Sequence, residues 1–137
     1  MHEIEIKNMI RMAQDVVRRA YAPYSNYRVG ACVKGLSGAF YLGCNIENAS
    51  YGLTNCAERT AVFKGISECE KNFNAIAVVS ENDDFPYPCG ACRQVLVEFF
   101  LPESEIIIAN KNAQYKLFTL DELMPFAFSK VNLNEEE

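Results

Sequence analysis

The sequence is short of histidine: its only one among 137 residues is His2. Histidine is the side chain that titrates nearest neutral pH and the commonest protein ligand for metals. His2 lies at the N-terminus, where chains are often poorly ordered. A metal site or an acid–base centre in the core must therefore be built from other side chains.

Long apolar runs and clustered positive charge are missing as well. No stretch reaches the roughly 18 consecutive apolar residues that cross a bilayer, and no basic region followed by an apolar run opens the chain. We therefore expect a cytoplasmic protein. The 13 Lys and Arg residues are scattered and outnumbered by 18 Asp and Glu, for a net charge of -5. Such a surface disfavours a polynucleotide substrate.

The size and composition predict one globular domain over residues 1–137, since half of the residues are hydrophobic and 23% are charged. The acidic tail 134–137 is expected to be disordered. Six cysteines without a secretion signal indicate reduced thiols, some of them free to bind metal. For three of the six, burial as small apolar side chains is the default: Cys32, Cys44 and Cys69.

Hydrophobic periodicity predicts alternating helices and strands. Apolar residues from Ile6 to Ala20 recur every three or four positions, which indicates an amphipathic helix that ends before Pro23. A second helix is expected near 56–66, capped by Thr54 or Asn55. A third helix is expected near 90–100 and a short one near 121–124, with strands near 27–34, 40–45, 75–79, 106–109 and 115–118. This order predicts an α/β fold, a three-layer α/β/α sandwich around a mixed sheet of about five strands.

Two short motifs carry candidate chemistry at the starts of the second and third helices: Cys56-Ala57-Glu58 and Pro88-Cys89-Gly90-Ala91-Cys92. The positive end of a helix favours thiolate over thiol, and thiolate is the form that binds zinc. Three cysteines converging on one ion would leave the fourth zinc position for water, as in catalytic sites. Glu58 can then act as the base that takes and returns the proton of that water.

Each part of this pattern has a simpler interpretation. A CxxC pair in a cytosolic protein can be a redox pair or half of a structural zinc site. Glu58 alone would be an ordinary acid in the first turn of a helix. The combination of Cys56, Glu58 and Pro88-Cys89-Gly90-Ala91-Cys92 favours the catalytic metal site over these alternatives.

With these residues the chain resembles the cytidine deaminase family, in its small homotetrameric, zinc-dependent branch; related zinc nucleobase deaminases carry H-x-E with P-C-x-x-C. The likeness covers nearly the whole chain and rests on the following segments: Ala22-Pro23-Tyr24-Ser25, Val29-Gly30-Ala31, Gly43-Cys44-Asn45-Ile46-Glu47-Asn48-Ala49, Cys56-Ala57-Glu58-Arg59-Thr60-Ala61, Pro88-Cys89-Gly90-Ala91-Cys92-Arg93-Gln94 and Leu123-Met124-Pro125.

The resemblance implies a binding site for a nucleoside. Asn45 and Glu47 would hold the ribose 3'-hydroxyl, although either could be a mere turn residue. Tyr27 and Phe128 from a neighbouring subunit would pack against the pyrimidine, and Ala57 would also contact the substrate. A site completed by a neighbour cannot be whole in a monomer, and the resemblance implies a homotetramer.

The resemblance also implies that Arg59 donates hydrogen bonds to the ligand sulfurs and offsets their charge; the alternative is a solvated helix residue. Two positions depart from the usual pattern. Tyr27 stands where the family commonly has Phe, and Phe126 stands where a small residue often follows the proline. The aromatic contacts are therefore the part of the resemblance that transfers least directly.

The function implied is hydrolytic deamination of cytidine and 2'-deoxycytidine to the uridines with release of ammonia, as part of pyrimidine salvage. A zinc-bound hydroxide would attack C4, with Glu58 as the proton shuttle and one Zn²⁺ per chain. The alternatives are a deaminase of another small cytosine-containing molecule, such as blasticidin S or a nucleotide, and a non-catalytic zinc-stabilised binding domain. A nucleic-acid editor would need a basic channel, which this acidic chain lacks.

Overall fold

A computed structural model describes residues 1–133, so the predicted disorder of the tail 134–137 lies outside the described residues. The elements are α1 (Glu3–Val17), β1 (Val29–Gly35), β2 (Phe40–Cys44), α2 (Ala57–Ser67), β3 (Phe73–Ser80), α3 (Gly90–Phe99), β4 (Phe100–Ala109), β5 (Tyr115–Thr119) and α4 (Leu120–Leu123). Two short 3₁₀ helices, Tyr51–Leu53 and Lys130–Asn132, were not anticipated. Within 1–133, no helix combines the length and apolarity needed to cross a bilayer.

The sheet has five strands in the order β2-β1-β3-β4-β5, and the prediction of a mixed sheet is confirmed. β3 and β4 run parallel, while the other neighbouring pairs are antiparallel. β3 lies at the centre, and its segment Ala75–Val79 is buried on both faces, as its uninterrupted apolar run predicts. Parallel pairing of β3 with β4 requires a crossover, and α3 supplies it.

Helices cover both faces of the sheet, so the α/β/α sandwich is confirmed. The buried stripe of α1, which includes Met9, Ile10 and Ala13, packs against Ala77 and Val79 of β3 and their neighbours. On the opposite face, residues of α2, α3 and α4 pack against alternate residues of the same strands. Burial of each large aliphatic side chain contributes about 1.5–3 kcal/mol. On the face opposite α1, helices α2 and α3 thus lie side by side. The N-termini of both helices lie on the same side of the sheet.

The prediction that Thr54 or Asn55 caps α2 is wrong, because the N-cap residue is Cys56. Asn55 pairs with Ile46 through two backbone hydrogen bonds of 2.9 Å. Thr54 closes the preceding 3₁₀ turn and its hydroxyl accepts a hydrogen bond from the Asn48 amide. Both residues are thus committed to the loop, and α2 begins only after them. Cys56 makes no cap hydrogen bond, so its thiol is free for other contacts.

Gly43 in β2 allows α2 to lie unusually close to the sheet. A Cβ at this position would lie 2.3 Å from the backbone nitrogen of Ala61 and 2.8 Å from the carbonyl oxygen of Ala57. Both atoms belong to the backbone of α2, so they cannot move aside without moving the helix. The absence of a side chain at Gly43 therefore permits the short distance between α2 and the sheet.

We expect Gly43→Ala to reduce the free energy of unfolding by about 1–3 kcal/mol, since the added methyl group overpacks the interface between β2 and α2. Urea unfolding followed by circular dichroism measures the change. Gly52→Ala is the matched control, because a Cβ there meets nothing within 4 Å. Equal stability of the two variants would show that α2 can shift freely on the sheet.

Candidate active site

The N-termini of α2 and α3 bring three cysteines together. Cys56 is the N-cap of α2, Cys89 is the N-cap of α3, and Cys92 lies in the first turn of α3. Their three sulfur atoms all lie within 4.8 Å of one another. Cys92 is buried, Cys56 is half-buried and Cys89 is exposed. The spacing of the two motifs predicted this convergence, and the packing of α2 and α3 on one face of the sheet produces it.

Arg93 fixes the start of α3. Its Nε donates to the carbonyl oxygen of Pro88 at 2.8 Å, and its Nη1 donates to that of Leu123 at 2.7 Å. The residue before Cys89 is therefore tied to the helix that follows it and to the end of α4. The positions of Cys89 and Cys92 are consequently fixed by the chain itself and do not require a bound ligand.

The electrostatics of the cluster favour a thiolate at Cys56. The Cys92 thiol and the Arg59 guanidinium both form hydrogen bonds with the Cys56 sulfur, and together they lower the pKa of Cys56. Arg59 Nη2 lies 3.3 Å from that sulfur. Donation to Cys56 and burial raise the pKa of Cys92. Arg59 therefore lies against a sulfur of the cluster rather than in solvent.

This donor set fits zinc. Soft sulfur ligands select Zn²⁺ among the common cations, and three protein ligands leave one of its four tetrahedral positions for a small molecule. The Arg59 guanidinium places positive charge at the Cys56 sulfur, and its Nε is buried without a hydrogen-bond partner within the described residues. Cys56, Cys89 and Cys92 are the residues of the described chain that would hold the ion.

Glu58 adds a carboxyl group next to the cysteines. It lies in the first turn of α2 and only 5% of it is exposed. Burial raises its pKa to about 7, and the nearby Cys56 thiolate acts in the same direction. A carboxyl group in this range accepts and releases protons near neutral pH.

Cys56, Cys89 and Glu58 line one cavity of about 480 Å³. Its remaining lining residues are Ser25, Tyr27, Val29, Asn45, Glu47, Thr54, Ala57, Phe85, Pro86 and Tyr87. The predicted substrate contacts Tyr27, Asn45, Glu47 and Ala57 therefore meet at one site. Among the described residues, no lysine or arginine lines the cavity. The cavity thus offers carboxylates and apolar surface, and it has no positive side chain to pair with an anionic ligand.

Asn45 and Glu47 are buried, and both hold the chain segment 24–29. The Asn45 side chain accepts from the Val29 amide at 2.9 Å and donates to the Tyr27 carbonyl oxygen at 2.7 Å. The Glu47 carboxylate accepts from the backbone amides of Tyr24 and Ser25 and from the Ser25 hydroxyl. The bonds from Ser25 lower the pKa of Glu47, so it remains ionised. The side chains of Asn45 and Glu47 therefore line the cavity, and their hydrogen bonds also hold the segment that forms part of its wall.

Tyr27 and Phe128 occupy different surroundings. The Tyr27 hydroxyl donates to Asp84 Oδ2 at 3.1 Å, and burial together with that carboxylate raises its pKa to about 12. Phe128 does not line the cavity of its own chain: its side chain is 59% exposed, and its carbonyl oxygen accepts from Gln94 Nε2 at 2.8 Å.

The sequence reasoning missed an entire wall of the cavity, formed by Phe85, Pro86 and Tyr87. These residues lie just before Pro88 and Cys89, in the loop between β3 and α3, outside the motifs and segments identified in the sequence. Its position between a buried strand and a ligand motif was the signal, since binding residues concentrate in such loops.

Comparison with known proteins gives a consistent result. The sequence model described as the cytidine and deoxycytidylate deaminase zinc-binding region matches residues 4–108. A cytidine deaminase of Sporosarcina psychrophila is 40% identical over 131 residues, or 96% of each chain. One of Halalkalibacterium halodurans is 43% identical over 127 residues, covering 93% of this chain and 96% of the relative.

A solved structure is also similar. The crystal structure of cytidine deaminase from Burkholderia pseudomallei superposes with a TM-score of 0.86 and 42% sequence identity, covering 93% of this chain and 100% of that chain. The similarity therefore includes the sheet, the helices on both of its faces and the segments that line the cavity.

We expect Cys56→Ser, Cys89→Ser and Cys92→Ser each to lose most bound zinc after dialysis, because each removes one of three sulfur ligands. Elemental analysis of the purified variants measures the metal content. Cys69→Ser is the control, since Cys69 is exposed and lies outside the cluster. Full zinc retention by all three ligand variants would contradict the site.

Proposed function

The chain belongs to the cytidine and deoxycytidylate deaminase family, and from this premise we propose that it hydrolyses cytidine and 2'-deoxycytidine to uridine and 2'-deoxyuridine with release of ammonia. The reaction serves pyrimidine salvage and uses one zinc ion per chain. The observation that carries the proposal is the cluster of three cysteine sulfurs, of which Cys56 and Cys89 line one cavity together with buried Glu58.

Cys56, Cys89 and Cys92 would hold the zinc ion, which would supply an activated water to this reaction. The Glu58 carboxylate accepts a proton from the attacking water and delivers it to N3 of the pyrimidine. Glu58 then takes the remaining proton from the oxygen now bonded to C4 and transfers it to the amino group, the C4–N bond breaks, and ammonia leaves. The atoms balance, since one water enters and one ammonia leaves. Arg59 supports the site by donating to the Cys56 sulfur, which offsets the charge of the thiolates.

The walls of the cavity orient the nucleoside in this proposal. Asn45 and Glu47 hold the ribose 3'-hydroxyl through donor and acceptor positions that their hydrogen bonds to segment 24–29 do not use. Tyr27 packs against the pyrimidine, and Ala57, which is fully buried at the start of α2, contacts it beside Glu58. A site that grips the 3'-hydroxyl accepts both cytidine and 2'-deoxycytidine, because both sugars carry that group.

We propose further that the protein is a homotetramer in which Phe128 of a neighbouring subunit completes the pyrimidine site. The exposure of Phe128 in the single chain supports this, as does the exposure of Tyr51 and Leu53 near the cavity mouth. A cytoplasmic location suits the cysteine site, since reduced thiols persist there.

Glu58→Gln should retain zinc and lose at least about 100-fold in turnover of cytidine, because the amide keeps the shape of the side chain and cannot transfer protons. Steady-state kinetics by ultraviolet absorbance and elemental analysis on the same sample measure both quantities. Near-normal turnover in a zinc-loaded Glu58→Gln sample would show that Glu58 is not the proton shuttle.

The zinc-loaded protein should convert cytidine and 2'-deoxycytidine and leave cytidine 5'-monophosphate and blasticidin S essentially unchanged. The phosphate would enter a cavity that holds carboxylates and no lysine or arginine among its lining residues. Parallel ultraviolet assays with the four compounds test this. Preferential conversion of the nucleotide or the antibiotic would favour the corresponding alternative substrate, and inertness toward all four would favour a binding domain.

A further inference from the structure

The loop of residues 81–88, between β3 and α3, serves two parts of the site at once. Its residues Phe85, Pro86 and Tyr87 form one wall of the cavity, and the residue that follows the loop is Cys89. The placement of this loop therefore affects both the space for the base and the approach to the sulfur cluster.

The two ends of the loop are held independently of the cavity. At its start, the Ser80 hydroxyl lies 2.9 Å from the Asp84 carbonyl oxygen, and Asn110 Nδ2 donates to the Asp83 carbonyl oxygen at 3.1 Å. At its end, Arg93 holds the Pro88 carbonyl oxygen. The middle packs both inward and outward: Phe85 contacts the apolar core and Pro86 is buried, while the Lys116 ammonium lies 4.6 Å from the centre of the Phe85 ring and 3.2 Å from the Tyr87 hydroxyl.

One side-chain contact joins this middle part to the opposite wall of the cavity. Tyr27 lies just before β1 and lines the cavity, and its hydroxyl reaches Asp84 Oδ2, directly before Phe85. The Asp84 carboxylate is exposed, so it requires no partner for the protein to fold. The contact is a charge-assisted hydrogen bond between two walls of the site.

We propose that the Tyr27–Asp84 pair is a positioning device that holds the Phe85–Tyr87 wall at the correct distance from the bound base, so that the Tyr27 hydroxyl and Asp84 set the affinity for the substrate. The inference rests on the proposed function for the identity of that substrate. It assigns a role to the hydroxyl group that distinguishes Tyr27 from phenylalanine, and to Asp84, which the reaction itself does not use.

The pair should affect KM rather than kcat. The sulfur cluster and Glu58 are fixed by α2, α3 and Arg93, none of which depends on the pair. Loss of the hydrogen bond therefore leaves the reacting groups in place and releases only the wall. Tyr27→Phe keeps the ring that lines the cavity and removes the hydroxyl alone, so it separates positioning from packing.

The test measures KM and kcat for cytidine in Tyr27→Phe, Asp84→Ala, their double variant and Asp84→Asn, with zinc content as a check. We expect Tyr27→Phe and Asp84→Ala each to raise KM about 3- to 10-fold with kcat within about 2-fold, the size of one hydrogen bond. The double variant should be no worse than either single variant, since both remove the same contact. Asp84→Asn keeps an acceptor oxygen and should restore most of the affinity.

Asp83→Ala is the matched control. It removes the same charge from the neighbouring position, but Asp83 pairs with Lys111 at 3.5 Å rather than with Tyr27. Its KM should remain at the wild-type value. Hydrogen–deuterium exchange of the peptide covering residues 81–92 gives a second measurement that needs no substrate: exchange should accelerate in Tyr27→Phe and Asp84→Ala and stay unchanged in Asp83→Ala.

The outcomes separate the two proposals. If Asp84→Ala behaves like Asp83→Ala in exchange and KM, or if the effects of the two single variants multiply in the double variant, the positioning role is wrong. If the wild-type protein does not deaminate cytidine, the proposed function is wrong, and the exchange rates alone decide whether the pair holds the loop.

Discussion

The site depends on placing three cysteine sulfurs within 4.8 Å of one another in a partly buried position. As thiolates they repel, and burial increases the cost of their charge. Two features of the chain oppose this cost: two helix N-termini directed at the cluster, and the Arg59 guanidinium at the Cys56 sulfur. A divalent cation held by the three sulfurs would oppose it further. The α/β/α sandwich makes the sulfur cluster possible, because α2 and α3 can begin side by side only if both pack on the same face of the sheet.

The two carboxyl groups of the cavity, Glu58 and Glu47, have opposite pKa shifts because their surroundings differ. Glu58 lies beside the Cys56 thiolate in a buried position, and both circumstances raise the pKa of its carboxyl group toward neutrality. Glu47 remains ionised because it accepts hydrogen bonds from Tyr24 and Ser25. One carboxyl group is thus able to exchange protons and the other acts as a fixed acceptor. The difference follows from their surroundings, as in other sites where paired carboxyl groups take different roles.

The parts that could be predicted from the sequence are those governed by short-range patterns. The buried run Ala75–Val79 indicated the central strand, and the spacing of Cys56, Cys89 and Cys92 indicated the metal cluster. The helix cap was mispredicted because Asn55 is engaged by the backbone of Ile46, a partner outside the helix that propensity cannot reveal. The wall formed by Phe85, Pro86 and Tyr87 was missed for a related reason: periodicity describes helices and strands, whereas this loop is placed by packing of Phe85 on the core and by individual hydrogen bonds such as those from Tyr27 and Asn110.

These two kinds of structure have different consequences for the active site. The floor of the cavity consists of helix termini fixed by backbone packing, such as the approach of α2 to Gly43, and a change there disturbs the reacting groups together. The walls consist of loops held by individual hydrogen bonds from Asn45, Glu47 and Tyr27. Each such bond contributes about 1 kcal/mol, so the walls can vary without loss of the fold. The positions of the reacting groups therefore depend on the packing of the floor, whereas the shape of the cavity depends on individual hydrogen bonds in its walls.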